Sequence, residues 1–148
     1  METLKKCEVQ IIVDFIIADP RNKTILIQQR SGSRKLFPYC WEFLGGHLES
    51  DETIEECIKR ELLEEANMRL IKIITKLHEF HWSFNEKLFK DIIYMIEAEG
   101  DFRLESGKAI DFKWITRNEA SLILRQGQTT NGLYEAAHKA FDIMGKLI

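Results

Sequence analysis

Apolar residues occur along this chain in short runs separated by polar breaks, a pattern typical of β-strands. The pattern predicts strands at residues 8–18, 24–30, 70–81, 87–98 and 111–115. A turn over residues 19–22 joins the first two strands into a hairpin, and Asn85-Glu86 supplies the turn between the next pair. Trp41 to Leu44 is short and extended and leads to the glycine pair Gly45-Gly46.

One segment, residues 51–66, has the periodicity of a helix instead. At about 100° per residue, its apolar residues form one stripe: Ile54, Cys57, Ile58 and Leu62. Glu61 and Glu65 fall inside this stripe, and Glu64 falls beside it. A solvated acidic face would lie opposite the apolar one. Because these glutamates lie within the apolar stripe, a functional site is favoured over an ordinary solvated surface. Ser50 or Asp51 is the expected N-cap, and Asn67 suits the left-handed residue after the last turn.

The last third of the chain predicts two further helices. Thr116 can cap a short helix that ends near Leu124, and residues 131–147 have the pattern of a C-terminal helix. Strands, a helix, more strands and then helices indicate an α/β fold, in which a mixed sheet is covered by helices. We expect one domain over residues 1–148.

The acidic end of the first predicted helix suits a divalent cation. Two carboxylates about 5 Å apart repel each other by roughly 3 kcal/mol at an effective dielectric constant near 20. A shared cation would convert that cost into affinity. Ligands that are all glutamate oxygens favour Mg²⁺ or Mn²⁺ over zinc. The expected chemistry is therefore phosphoryl or nucleotidyl transfer to water.

Composition limits which binding partners and which cellular compartment are expected. The 148 residues carry a net charge of −3, with 45% hydrophobic and 30% charged residues. No basic run exceeds two residues, so a nucleic-acid polymer is not the expected partner. The three cysteines are far apart and indicate a reducing compartment. No apolar stretch approaches the ~20 residues of a membrane span, and we expect a cytoplasmic protein without membrane contact.

The stretch from Gly46 to Met68 resembles the Nudix box, written G-x5-E-x7-R-E-U-x-E-E-x-G-U with U aliphatic. All fixed positions match except the late glycine, which is Asn67 here. The resemblance implies a Nudix-type α/β/α sandwich, with a mixed β-sheet between helices. It also implies a divalent-metal-dependent hydrolase that cleaves a nucleoside diphosphate linked to another group.

The resemblance assigns roles to residues of this sequence. It implies metal ligands at the Gly45 carbonyl and at Glu61, Glu64, Glu65 and Glu105, although Glu97 or Glu99 could replace Glu105. Either Glu61 or Glu64 would be the general base. Arg60, at helical spacing from Glu56 and Glu64, would orient the catalytic glutamates; its alternative is an ordinary surface ion pair.

Two substrate contacts follow from the segment Trp41–Gly46 (WEFLGG), which is similar to the entry of MutT-like members. Arg30 corresponds to an arginine that touches substrate phosphate; otherwise it is an exposed strand end. Asn131 corresponds to an asparagine that reads a purine edge; otherwise it is a helix N-cap. Together they favour a purine nucleoside triphosphate that is cleaved to the monophosphate and pyrophosphate.

Three alternatives remain open from sequence. The substrate could be ADP-ribose or a dinucleoside polyphosphate, although no proline follows Pro38 where ADP-ribose hydrolases of this family carry one. The chain could be a catalytically silent nucleotide-binding regulator, although no box glutamate is missing. An isoprenyl diphosphate isomerase would be expected to need a longer chain. The sequence allows a monomer or a homodimer.

Overall fold

A computed structural model describes residues 8–126 and 131–147. Within these ranges the chain forms seven strands and three helices. The strands are β1 Val9–Asp19, β2 Thr24–Arg30, β3 Trp41–Glu42, β4 Leu44–His47, β5 Arg69–Phe84, β6 Lys87–Glu99 and β7 Ala109–Ile115. The helices are α1 Ile54–Ala66, α2 Arg117–Gln126 and α3 Asn131–Lys146.

The sheet is mixed, as the sequence predicts, and β1 lies at its centre. β1 runs parallel to β6, while β5 and β6 form a long antiparallel hairpin. The turn of that hairpin is at Asn85 and Glu86, whose φ angles of 48° and 64° are both left-handed. Such a turn matches the right-handed twist of the two strands. The parallel pairing of β1 and β6 aligns Ile12 with Asp91.

The predicted hairpin of β1 and β2 is present, but its strands pair only at Ala18↔Ile25 and Asp19↔Thr24. Beyond these pairs the two strands separate. β4 pairs with the free edge of β1, and β3 pairs with β2. The segment from Trp41 to His47 therefore lies between β1 and β2, and Gly45 is placed opposite Asp14.

Helices cover both faces of the sheet, which confirms the predicted α/β/α arrangement. One core joins the odd-numbered residues of β1 to α1 and includes Val13, Phe15, Ile58 and Leu62. The other core joins the even-numbered residues to α2 and α3 and includes Ile16, Ile93, Leu124, Ala136 and Phe141. All of these side chains are buried, so the two cores fix the position of α1 and α3 relative to β1.

The N-terminus of α1 differs from the prediction. The helix begins at Ile54, and its cap is Thr53, whose hydroxyl accepts a hydrogen bond from the Glu56 N–H at 3.1 Å. Asp51 has a left-handed φ of 65° and belongs to the preceding turn. The Glu52 side chain in the same turn is bound to Arg60, which keeps this residue out of the helix. The prediction of a cap at Ser50 or Asp51 was wrong.

The C-terminal cap of α1 and the N-terminal cap of α2 agree with the sequence. Asn67 has φ 58° and ψ 35°, so the left-handed cap of α1 is confirmed. The hydroxyl of Thr116 accepts from Glu119 N–H at 3.4 Å, while the Glu119 carboxylate accepts from Thr116 N–H at 3.1 Å, a reciprocal cap for α2. None of the helices in the described ranges is long and apolar enough to cross a membrane.

Candidate active site

The carboxylates at the end of α1 pack against the glycine pair of β4. A Cβ atom at Gly46 would collide with the Glu61 carboxylate, and one at Gly45 would collide with the backbone of Val13 and Asp14. The Gly45 N–H donates a hydrogen bond of 2.8 Å to Glu65 Oε2. Glycine at position 46 therefore allows the Glu61 carboxylate to approach the strand, and glycine at position 45 allows β4 to lie close to β1.

Arg60 connects the box residues that precede the helix to those within it. Its Nε and Nη2 bind both oxygens of Glu52 at 2.7 and 3.0 Å, and its Nη1 binds Glu61 at 2.7 Å. Nη2 also donates to the His47 carbonyl at 3.1 Å. These contacts hold the Glu61 carboxylate against the guanidinium. The orienting role in catalysis that the resemblance implies for Arg60 stays a prediction.

Glu56 and Glu64, which helical spacing offers as partners of Arg60, do not make its shortest contacts in the structure. Its nearest approach to Glu64 is 3.6 Å. Glu56 instead accepts a hydrogen bond from the Thr53 hydroxyl at the start of α1. Spacing along the helix did not identify the main partner of Arg60, because the turn before α1 brings Glu52 into contact with the guanidinium.

The pair of Glu52 and Arg60 predicts a change of stability with pH. The hydrogen bonds that Glu52 accepts from Arg60 lower the pKa of the Glu52 carboxyl group to about 2. A depressed pKa stabilises the fold fully above the ordinary glutamate value of about 4.3 and loses that contribution as pH falls towards 2. We expect the difference in unfolding free energy between the wild type and Glu52→Gln to shrink between about pH 7 and pH 2.5.

Denaturant titrations at several pH values measure this difference. Glu55→Gln is the matched control, since Glu55 is an exposed residue of the same helix. A Glu52→Gln penalty that stays constant down to the lowest pH would contradict the assigned ion pair.

Burial and charge make the acidic cluster a candidate cation site. Burial raises the pKa of Glu61, against the effect of Arg60. Burial, followed by the charge of Glu61, raises the pKa of Glu65 well above its usual range. Burial is the main cause of both shifts, and the charge of Glu64 on Glu61 and of Glu61 on Glu65 adds to them; a hard divalent cation would offset both effects. The donor set of oxygens therefore fits Mg²⁺ or Mn²⁺.

Of the remaining predicted ligands, one is largely exposed and one forms an ion pair. Glu64 is 52% exposed. Glu105 is paired with Lys108 at 3.2 Å, and its charge also contributes to the raised pKa of Glu65. Among the described residues, no three His, Cys, Asp or Glu side chains are already arranged as a metal site.

A cavity of about 390 Å³ opens beside this cluster on the face of the sheet that α3 covers. Its lining includes Gly45, Gly46 and Glu65, together with Asp91 and aromatic side chains, and Arg30, Arg34 and Lys87 also contribute to the walls. The aromatic lining residues are Phe37, Phe43, Phe80, Trp82 and Phe89. Negative, positive and aromatic surfaces thus share one space.

Arg30 lines the cavity and is only 14% exposed, so it is not a plain surface residue. Its Nε donates to the Leu36 carbonyl and its Nη1 to Glu42, which leaves Nη2 without a hydrogen-bond partner among the described residues. A phosphate oxygen could accept from that nitrogen. Asn131 opens α3, and its side chain lies outside the described residues.

Sequence reasoning missed three polar residues of this cavity. Glu42 pairs with Arg30 at 3.0 Å, and burial raises the pKa of Glu42 although Arg30 opposes the shift. Asp14 and Asp91 lie together on β1 and β6, and burial and Asp91 raise the pKa of Asp14 well above its usual range. A charged residue within an otherwise apolar strand was the available signal for both aspartates.

Carboxylates on a glycine-flanked helix, beside a cavity with arginines and aromatic walls, define a class of hydrolase that acts on phosphate anhydrides. The NUDIX domain model matches residues 9–136, and the chain belongs to the Nudix family. It is therefore a hydrolase of pyrophosphate bonds.

Individual relatives agree with this family. An uncharacterized Nudix hydrolase from Nostoc sp. is 35% identical over 82% of this chain and 72% of its own length. The nucleoside triphosphatase NudI from Enterobacter sp. is 30% identical over 85% of this chain and 91% of its own length. The crystal structure of a MutT protein from Methanosarcina mazei has a TM-score of 0.76 at 21% identity and covers 97% of this chain and 99% of its own. That similarity concerns the fold.

Proposed function

We propose that this protein is a divalent-metal-dependent nucleoside triphosphate pyrophosphohydrolase, which releases a nucleoside monophosphate and pyrophosphate. The observation that carries the proposal is a cavity whose lining combines Glu65 and the glycine pair with arginines and aromatic side chains. Such a lining offers contacts both to phosphates and to a base. The similarity to NudI, described as a nucleoside triphosphatase, supports the same substrate class.

The residues at the acidic end have distinct roles in this proposal. Glu61, Glu64 and Glu65 would hold Mg²⁺ or Mn²⁺, and the Gly45 carbonyl and Glu105 would complete the ligands. A bound cation would supply charge neutralisation at the phosphates and a lower pKa for the attacking water. Arg60 keeps Glu61 in position through the 2.7 Å contact.

The chain's own groups then account for the reaction. Water attacks one phosphorus of the anhydride between the α- and β-phosphates, and the P–O bond to the leaving phosphate breaks. Glu61 or Glu64 accepts the proton of that water. Arg30 binds a phosphate oxygen through Nη2, while its other nitrogens hold it against Leu36 and Glu42.

A substrate panel tests this assignment. We expect kcat/KM with Mg²⁺ to be highest for a purine nucleoside triphosphate among the four canonical triphosphates, 8-oxo purine triphosphates, ADP-ribose and diadenosine polyphosphates. One cavity offers both cationic and aromatic contacts to a nucleotide, and the expected preference for a purine rests on the resemblance at Asn131. Turnover of ADP-ribose alone would keep the family chemistry but contradict the substrate. Binding of nucleotides without turnover would favour a regulator instead.

A further inference from the structure

Strand β7 lies at one edge of the sheet. Among the described residues, β2 is the one strand that pairs with it. The five central residues of β7, 110–114, are all exposed, whereas Ala109 and Ile115 at its ends are buried. The free edge of a sheet presents backbone N–H and C=O groups to which another strand can add. β7 is therefore a candidate surface for the addition of a strand.

The backbone groups of Phe112 point towards this free edge. In an antiparallel pair, residues that bond to the partner strand alternate with residues that point away from it. The Arg30 N–H donates to the carbonyl of the residue before β3, so Gln28, two residues earlier on β2, also faces β3. Its partner Phe112 therefore faces outward, and the Phe112 N–H donates to Oδ1 of the exposed Asp111 at 2.8 Å.

The side chains of β7 form a charged face and an apolar face. Asp111 and Lys113 alternate with Phe112 and Trp114, so the two pairs lie on opposite faces of the strand. Phe112 is 40% exposed and Trp114 is 38% exposed. Among the described residues, neither Asp111 nor Lys113 forms an ion pair. An edge with exposed aromatic residues and charges outside any ion pair is suited to a complementary strand.

The sequence of β7 is complementary to itself when a second copy runs in the opposite direction. If Phe112 faces Phe112 of that copy, Asp111 faces Lys113 of the second copy, and Lys113 faces its Asp111. At each end, Trp114 approaches Ile110, which is 52% exposed. Opposite charges directly across two strands stabilise their pairing, and aromatic and branched residues do the same on the other face.

Charge favours this register over its neighbours. Because Phe112 and Trp114 both face outward, any other register must shift by an even number of residues. A shift of two residues in one direction places Asp111 opposite Asp111 of the second copy. The same shift in the other direction places Lys113 opposite Lys113. Like charges directly opposite each other destabilise a strand pair, so the register centred on Phe112 is preferred.

The other edge strand, β5, is less suited to pairing. It pairs with β6 through three register shifts, and it carries the exposed residues Lys72 and Lys76. Irregularities and lysines on an edge strand hinder the addition of another strand. β7 has one such irregularity, at Ile110, and the complementary residues begin directly after it.

We propose that two copies of this chain associate through β7, in a two-fold antiparallel pairing that is centred on Phe112 and joins their sheets. Two ion pairs between Asp111 and Lys113 lie on one face of the joined sheet. Phe112 and Trp114 of both copies form an apolar cluster on the other face. This inference is independent of the proposed function.

Analytical ultracentrifugation of the wild type, Lys113→Asp and Asp111→Lys tests the proposal at up to about 100 μM protein, since association depends on protomer concentration. The wild type is expected to dimerise. Each variant turns two attractive pairs into two repulsive ones, so the Kd of the dimer should rise about tenfold or more. Lys72→Asp is the matched control: it makes the same change at an exposed position of β5 and should leave the Kd unchanged.

Two combinations distinguish the register from a general loss of folding. The double variant Asp111→Lys with Lys113→Asp exchanges the charges and restores both ion pairs, so it should dimerise like the wild type. An equimolar mixture of the two single variants should form mixed dimers, because one chain then carries two lysines and the other two aspartates.

Three results would overturn the proposal. The first is a wild type that stays monomeric at every concentration. The second is a dimer that both single variants retain, or one that only the control Lys72→Asp loses. The third is a dimer that the single variants lose and that neither the charge exchange nor the mixture restores.

Discussion

Glu64→Gln is expected to lower kcat for a nucleoside triphosphate by at least about a hundredfold, the lower range of what a positioned general base contributes. Glu64 lies in the last turns of α1, next to the partly buried Glu61 and Glu65. Glutamine has the same shape but is a poor base and carries no charge for a cation. The variant thus removes the chemistry and preserves the volume.

The fold should tolerate this change. Glu64 is 52% exposed and contacts Arg60 only at 3.6 Å. An exposed ion pair of this kind contributes at most about 1 kcal/mol to stability. Steady-state kinetics and thermal unfolding of Glu64→Gln and of the control Glu55→Gln measure the two effects separately. A kcat of Glu64→Gln near that of the control would mean that neither metal binding nor base catalysis depends on Glu64.

Glu65→Gln is expected to make the metal-free protein more stable and to impair catalysis. Burial and the charges of Glu61, Glu42 and Glu105 raise the pKa of Glu65, so its ionised form opposes folding at neutral pH. The amide oxygen of glutamine can still accept the 2.8 Å hydrogen bond from Gly45. Removing one charge of the repelling pair should increase the unfolding free energy by roughly 1–3 kcal/mol.

The sign of the pH dependence follows from the raised pKa. Native Glu65 keeps its proton to a higher pH than the unfolded chain does, so stability falls as pH rises from about 4.3 through the folded pKa. The advantage of Glu65→Gln should therefore be present in EDTA at neutral pH and disappear near about pH 4. Denaturant titrations at both pH values measure it. A variant less stable than the wild type at neutral pH would contradict the repulsion.

The sequence predicts the parts of this site that depend on local structure. The apolar stripe of α1 places Glu61 and Glu65 against the sheet, and Asn67 ends the helix as expected. The turn at Asn85-Glu86 is also predicted correctly, because few residues adopt two successive left-handed conformations readily. Each of these features is determined by residues that are close in the chain.

Features that depend on distant residues could not be predicted. Asp14 first reads as an interruption of an apolar run, and it meets Asp91 only because β1 and β6 pair in parallel. Arg60 finds Glu52 rather than Glu56 because of the turn before α1. Arg30 is turned towards Glu42 by the insertion of β3 beside β2. Pairings of this kind follow from the packing of the whole sheet.

The most direct test of the central claim is the identity of the products formed from GTP. The purified chain is incubated with GTP in Mg²⁺ and, in parallel, in EDTA, and the nucleotides and phosphates are separated by ion-exchange chromatography. We expect GMP and pyrophosphate in equal amounts with Mg²⁺ and no product in EDTA. Release of GDP and inorganic phosphate, or equal turnover without a divalent cation, would contradict a metal-dependent pyrophosphohydrolase.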